Sequence, residues 1–424
     1  TLPLGARHIR AEVWSLEKAA SPAIYFIHQP EFYQRAGLYQ EKGADYPDNA
    51  ERFIFFSKCV VFLARNLAEP IDVVHAHDWQ TGLVPLLIRH QQRWEGWRNA
   101  PSTCFTIHNI IYQGIFPGAK YSLTNLPPDY FRPDGVEFYG NLNCMKAGLC
   151  YAQALTTVSP RYAQEITTRE LGGGLDGVLR SRRDPPVGIV NGVDYSEWKT
   201  NHNPHLRFTY GPGRMEGKTA EKLALQRELG LPVNAEVPLF GNVGRLAEQK
   251  GIDILLGALE EMLAAPMQFI SLGRGQPHYE GALMDLARRY PDKVAARIGY
   301  EEELSHRIEA GSDFFLMPSR YEPCGLNQLY SLRYGTIPIV RATGGLDDTV
   351  VDIAEAPERA DGIKFNEYSA RALAKAIRKA LVLYQEPALM RHFIQNAMAV
   401  EFLWQDTAAQ YIKVYQRIPR SERE

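Results

Sequence analysis

Several side chains in this 424-residue sequence stand where chemistry could be done. A carboxylate, Glu322, follows the apolar run Phe314 to Met317, which reads as a short buried strand. Pro318 stops that strand, and a polar loop carries Arg320, Tyr321 and Glu322 out to its carboxyl end. In open α/β sheets ligands bind there. Two cations, Arg245 and Lys250, flank a strand-to-helix turn, Gly-Arg-Leu-Ala-Glu-Gln-Lys-Gly. A planar guanidinium and a compact ammonium beside free helix-start N–H groups suit a diphosphate. Charge-assisted bonds of this kind are worth about 1.5–3 kcal/mol each. A second glycine site, Thr343-Gly-Gly-Leu-Asp-Asp-Thr349, precedes an expected helix start and also suits phosphate. His75 and His77 end one apolar run with Asp78 and Trp79, and His108 ends another with Asn109.

Each of these has a plainer reading. Glu322 suits a first-turn acid favoured by the helix dipole, with Pro323 at the helix start. Arg245 and Lys250 suit solvated cations on a surface turn, Tyr300 a core tyrosine, and His108 a satisfied structural histidine. The i, i+2 pair His75 and His77 suits a metal, yet no companion ligand cluster is visible in the sequence. Neither a Ser–His–acid nor a Cys–His constellation emerges. No second carboxylate in a context comparable to Glu322 supports a glycosidase.

The elements that would position these residues alternate strand and helix, as parallel βαβ units do. Strands are expected at 11–16, 23–27, 71–77, 103–107, 155–158 and 187–190. A helix is expected from Ala50, capped by Asn49, and others over 81–89 and from Ser159-Pro160. The polar segment Thr200 to Gly217 reads as an interdomain linker, followed by a helix capped by Thr219 and ended by Gly230. A fresh series starts at Val237: helix 252–263, strand 268–272, a helix reaching Tyr290, strand 294–298, strand 314–317, then a helix ended by Gly335 and a strand at 337–340. Leu373, Ile377, Leu381 and Tyr384 share one stripe of a helix over 370–383. A last helix spans 404–418.

Hydrophobic content of 45% and charged content of 23% suit a globular protein of two or three domains. A net charge of −2 excludes a global basic field for nucleic acid or anionic lipid, so phosphate binding must be local. Five scattered cysteines without C-x-x-C spacing point to a reduced compartment rather than to disulfides or zinc. No apolar run reaches membrane-spanning length.

The stretch Arg320-Tyr-Glu-Pro-Cys-Gly-Leu-Asn-Gln resembles the E-P-C-G-L-x-Q signature of bacterial glycogen synthases and plant starch synthases. Arg245 to Gly251 resembles their R-L-x-x-Q-K-G, His75 to Trp79 their H-A-H-D-W, and Thr106 to Gly114 their T-x-H-N-x-x-Y-Q-G. Asn191 to Asp194 is similar to their N-G-V-D. These motifs stand in the family's order, and the resemblance extends from near residue 25 to near residue 415. The resemblance implies an α/β chain of two facing Rossmann-like domains, the GT-B architecture. The expected domains are 1–200 on the acceptor side and 201–403 for the nucleotide sugar. The helix over 404–424 is expected to cross back to the first.

The implied reaction transfers glucose from ADP-glucose to the non-reducing end of an α-1,4-glucan with retention of configuration. It is a same-face displacement in which the departing diphosphate helps deprotonate the acceptor. By resemblance, Arg245 and Lys250 hold the pyrophosphate and Tyr300 packs on the base. His108 lies against the transferred glucose with its carbonyl near the anomeric carbon, and Glu322 accepts from sugar hydroxyls. Asp78, Trp79, Asn109, Asn191, Cys324, Gly325, Leu326, Thr343, Gly344 and Gly345 complete the implied substrate contacts. No metal and no cofactor beyond the nucleotide sugar is implied, nor any nucleic-acid or membrane partner. The setting implied is bacterial cytoplasm or a plastid. Family members open with a strand and a K-T-G-G-L loop, whereas the only Thr-Gly-Gly-Leu here is Thr343 to Leu346. The expectation is therefore a first domain incomplete at its N-terminus. A catalytically impaired glucan- or nucleotide-binding remnant, binding nucleotide better than it catalyses, is the alternative. A glycogen phosphorylase would need a pyridoxal-phosphate lysine in a matching context, and none is seen.

Overall fold

The apolar runs that end in polar residues become parallel strands, because a strand covered on both faces by helices reads as a near-continuous hydrophobic run. In the computed structural model, which describes residues 1–16, 22–41 and 43–419, the chain forms two units. The first comprises Thr1–Thr157, Ala163–Val187 and Tyr411–Glu424, and the second Val158–Tyr162 and Gly188–Gln410. The division expected at residue 200 falls inside the second unit. The last helix, Trp404–Arg417, passes from one unit to the other at Tyr411.

In the first unit, Ala154–Thr157 pairs in parallel with Ser102–Ile107, which pairs in parallel with Val73–His77. Val187–Gly188 adds to the Ala154–Thr157 edge. Short antiparallel pieces surround this sheet. Glu12–Ser15 and Tyr25–His28, expected as strands, pair antiparallel with each other. Ile115–Pro117, Asn141–Asn143 and Glu137–Phe138 form a small three-stranded sheet that the sequence did not announce.

The second unit holds six parallel strands in the order Val294–Ile298, Gln268–Gly273, Leu239–Val243, Phe314–Met317, Ile337–Arg341, Ile363–Phe365. Alternation along Phe314–Met317 feeds two cores. Phe314 and Leu316 pack with Phe240, Leu255, Leu373 and Ile377, while Phe315 and Met317 pack with Leu225, Ile270 and Ile308. The amphipathic helix Ala370–Tyr384 covers the first of these faces, capped by Ser369, which accepts from the Ala372 N–H.

Two expected caps and one expected helix start are corrected. Asn49 is the first residue of helix Asn49–Asn66 rather than its cap. Its amide is taken instead by the Tyr39 carbonyl and the Arg52 guanidinium. Thr219 lies inside helix Glu216–Glu228, which begins within the supposed linker. Pro323 does not open a helix, since the next one is Asn327–Arg333. All five cysteines are free thiols, and no helix among the described residues is long and apolar enough to cross a membrane.

Candidate active site

The sheet of the second unit reverses its strand order between Leu239–Val243 and Phe314–Met317. The chain builds outward from the first of these to one edge, then returns beside it and builds outward to the other. Connections diverge at that point and leave a crevice at the carboxyl ends. Lys250 follows the first strand and Glu322 the second. Across the crevice Lys250 Nζ lies 2.6 Å from Glu322 Oε2, and Ser319 Oγ donates to the same oxygen at 3.0 Å. Glu322 is only 6% exposed, so this pairing offsets the cost of burying its charge. The two loops are locked together. The Arg320 N–H donates to the Gln249 carbonyl at 2.8 Å, and Gly251, at φ 72°, lies so close that an added Cβ would sit 2.0 Å from the Pro318 oxygen.

Arg245 donates to Gln249 Oε1 at 2.7 Å and lines a cavity of about 460 Å³ with Arg274, Tyr300, Asn327, Trp198 and Tyr330. Tyr300 is 87% exposed, so it is not a core tyrosine but a residue at the rim of this cavity. Trp198 and Tyr330 stack at 3.5 Å with an interplanar angle of 4°. Neither stands in a motif of the sequence. Tyr330 reads as one more apolar residue on a helix stripe, and Trp198 carries no signal beyond its position four residues after Asp194.

Glu322 lies five residues before helix Asn327–Arg333, so the helix-dipole reading does not apply. The helix starts late because Gly325 adopts φ 73°, a left-handed turn that breaks helical geometry. The glycine pair has a structural task. An added Cβ would meet the Glu322 oxygen at 1.9 Å from Gly344, or the Cys324 oxygen at 2.0 Å from Gly345. The Gly345 N–H donates to the carbonyls of Glu322 and Pro323, both at 3.1 Å. Thus Gly344 and Gly345 seat the Glu322 loop at the start of the six-residue helix Gly344–Thr349, for which Thr343 is the N-cap residue. Cys324 is buried, which pushes its thiol up to about 12, and the backbone and side chain of Asn191 both hydrogen-bond to it. Leu326, two residues on, is exposed.

In the first unit, Asp78 follows strand Val73–His77 at φ 56°, a conformation disfavoured for a residue with a Cβ. Its Oδ1 accepts from the His108 N–H at 2.7 Å and from the Asn109 N–H at 3.5 Å. His108 Nε2 lies 3.0 Å from His77 Nδ1. His75 is held by Tyr415 OH at 2.8 Å and by Thr106 Oγ1 at 2.5 Å. Both ring nitrogens of His75 and Nδ1 of His77 are engaged in hydrogen bonds. Burial, then the neighbouring imidazoles, hold His75 down to about 3 and His77 to about 4, and burial also lowers His108. Burial raises Asp78 to about 6. Trp79 packs on Phe53 at 4.7 Å and leans on Gly114, where an added Cβ would meet its ring at 2.3 Å.

The starch synthase catalytic domain model matches residues 2–181, and the glycosyl transferases group 1 model matches 228–400. A glycogen synthase of Anaeromyxobacter dehalogenans is 47% identical over 413 residues, covering 97% of this chain and 87% of that protein. The chain belongs to the glycogen/starch synthase family of glycosyltransferases. Glycogen synthase 2 of Nitrosococcus oceani is 43% identical, with 99% and 86% of the two chains covered. The catalytic domain of starch synthase IV from Arabidopsis thaliana, bound to ADP and acarbose, superposes with a TM-score of 0.86 at 32% identity, covering 96% of this chain and 84% of that one. The two Rossmann-like units are those of a GT-B glycosyltransferase. Like its family, this glycosyltransferase moves glucosyl groups from a nucleotide sugar to a glucan in glycogen or starch synthesis, and no match favours an impaired remnant.

Proposed function

We propose that this synthase uses ADP-glucose and extends the non-reducing end of an α-1,4-glucan with retention of configuration. The observation that carries the donor assignment is the Lys250–Glu322 pair at the strand-order reversal, with Arg245, five residues before Lys250, lining the cavity edged by Tyr300. In this reading Arg245 and Lys250 bind the diphosphate and Tyr300 covers the base. The pairing with Glu322 positions the ammonium before the donor arrives, so little reorganisation is needed as charge grows on the leaving group. Glu322 takes sugar hydroxyls with its other oxygen. Its loop is held by the glycines at 344 and 345 and by Asn191 on Cys324.

His108, with Asp78 anchoring its backbone N–H, orients the glucose. A neutral imidazole there can offer a hydrogen bond without competing for the diphosphate as a cation would. Asn109 and Trp79 are assigned to the same sugar-side contacts. The reaction is proposed to need no metal and no cofactor, orientation and charge stabilisation being the protein's contribution. The ADP in the Arabidopsis relative supports adenine as the base. Incorporation of labelled glucose into glycogen from ADP-glucose and from UDP-glucose tests this. Faster incorporation from ADP-glucose is expected, and a preference for UDP-glucose would contradict the donor assignment.

A further inference from the structure

Away from these residues, one side-chain cluster joins the segment after Trp198 to the helix Glu302–Gly311. Glu302 and His306 are four residues apart on that helix, so one turn places both on a single face. His205 comes from the preceding polar segment. The ligand atoms of the three lie within 4.8 Å of one another, and the two imidazole rings are 4.5 Å apart.

The arrangement is built rather than incidental. Asn203 Nδ2 lies within hydrogen-bond distance of the carbonyls of Glu197 (3.1 Å) and Lys199 (2.9 Å) and of the Tyr334 hydroxyl (2.9 Å), its two hydrogens shared among them. Asn203 Oδ1 accepts the His205 N–H at 2.8 Å, which sets that residue's backbone. His306 Nδ1 lies 2.7 Å from the same Tyr334 hydroxyl, leaving Nε2 as the nitrogen for a ligand. Metal-binding histidines are commonly fixed in this way through the second ring nitrogen. His306 is buried, His205 half-buried and Glu302 exposed, so the cluster opens to solvent on its carboxylate side.

We propose that His205, Glu302 and His306 form a binding site for a zinc-class divalent cation, with water completing the coordination. Two imidazoles and one carboxylate suit a borderline ion bound by nitrogen and oxygen, whereas magnesium prefers oxygen alone. Bonds of about 2.0–2.2 Å require the three groups to draw together slightly, which the exposed Glu302 side chain permits. The ion staples the segment carrying His205 to the helix. Trp198 stacks on His306 at 4.0 Å as well as on Tyr330, so the staple also stiffens one wall of the cavity assigned to the nucleotide. Coordination itself does not depend on that assignment.

The test is calorimetric titration of zinc chloride into the full chain stripped of metal, with melting temperatures measured in parallel. One equivalent should bind with micromolar or tighter affinity and raise the melting temperature by several degrees. His205→Ala and Glu302→Gln should each weaken binding about tenfold or more and lose the thermal shift, while melting like the parent without zinc. Magnesium chloride should not compete. Absence of a one-equivalent event, or parental zinc affinity in either variant, would overturn the three-ligand assignment.

Discussion

The two units prepare their functional corners by opposite means. In the first, His75, His77 and His108 are kept neutral by burial and tied through Tyr415, Thr106 and Asp78 into a hydrogen-bonded network. In the second, charge is concentrated: Lys250 against Glu322, and Arg245 on Gln249, beside a cavity edged by an exposed tyrosine. Neutral, rigid groups suit a sugar, whose hydroxyls are read by position. Fixed cations suit a diphosphate, whose charge increases as the bond to glucose breaks. The contrast implies that damage to either corner should have a different kinetic signature.

The largest effect should come from Glu322→Ala. It removes the sugar contact proposed for Glu322 and the carboxylate paired with Lys250, and turnover should fall about 10²–10³-fold, as when one oriented transition-state group is lost. Steady-state rates with saturating ADP-glucose check this. A fall smaller than tenfold would blur the contrast. Arg245→Lys should be milder than Arg245→Ala but not silent, because a single ammonium cannot reproduce a planar fork. The alanine variant should lose about 1.5–3 kcal/mol of donor binding, read as a raised KM.

A third prediction concerns folding rather than charge. Gly345→Ala drives a Cβ into the Cys324 carbonyl, and the loop must move, at about 1–3 kcal/mol. Denaturant unfolding should show that loss together with lower activity, because the same backbone holds Glu322. The glycine pair illustrates what sequence could and could not convey. Its position after the Glu322 unit was readable, and so were the strands Phe314–Met317 and Val294–Ile298 and the helix Ala370–Tyr384, whose apolar patterns are local. That the glycines seat the Glu322 loop was not, since it depends on a contact across about twenty residues. Lys250 and Glu322 are 72 residues apart, and spacing carries no sign of their pairing. The stack of Trp198 on Tyr330 was hidden for the same reason. Caps failed where a competing partner won, as when Arg52 and Tyr39 took the amide of Asn49.

The smallest effect should be the response to acid. His75 and His77 have folded values below the ordinary 6.5, so the unfolded chain binds more protons as pH falls from about 6.5 toward 4. Their contribution is therefore present above 6.5 and lost on acidification. Asp78, raised to about 6, works the other way, contributing at low pH and losing that contribution as pH rises toward 6. In this corner His75, His77 and His108 together outweigh Asp78, so its contribution to stability should fall between pH 7 and 5, read as a steeper drop in melting temperature for the parent than for a variant lacking one of these imidazoles. His77→Asn should reduce the drop, and an unchanged slope in that variant would place the sensitivity elsewhere.

The central claim is that the second unit's cations bind the nucleotide while the first unit's histidine corner serves the sugar. Calorimetry of ADP binding to the parent, Arg245→Ala, Lys250→Ala and His108→Ala tests it most directly. Affinity should fall about tenfold or more in both cation variants, the weakening persisting in added salt, and remain at the parental value in His108→Ala. Parental ADP affinity in both cation variants, or its loss in His108→Ala alone, would contradict the account.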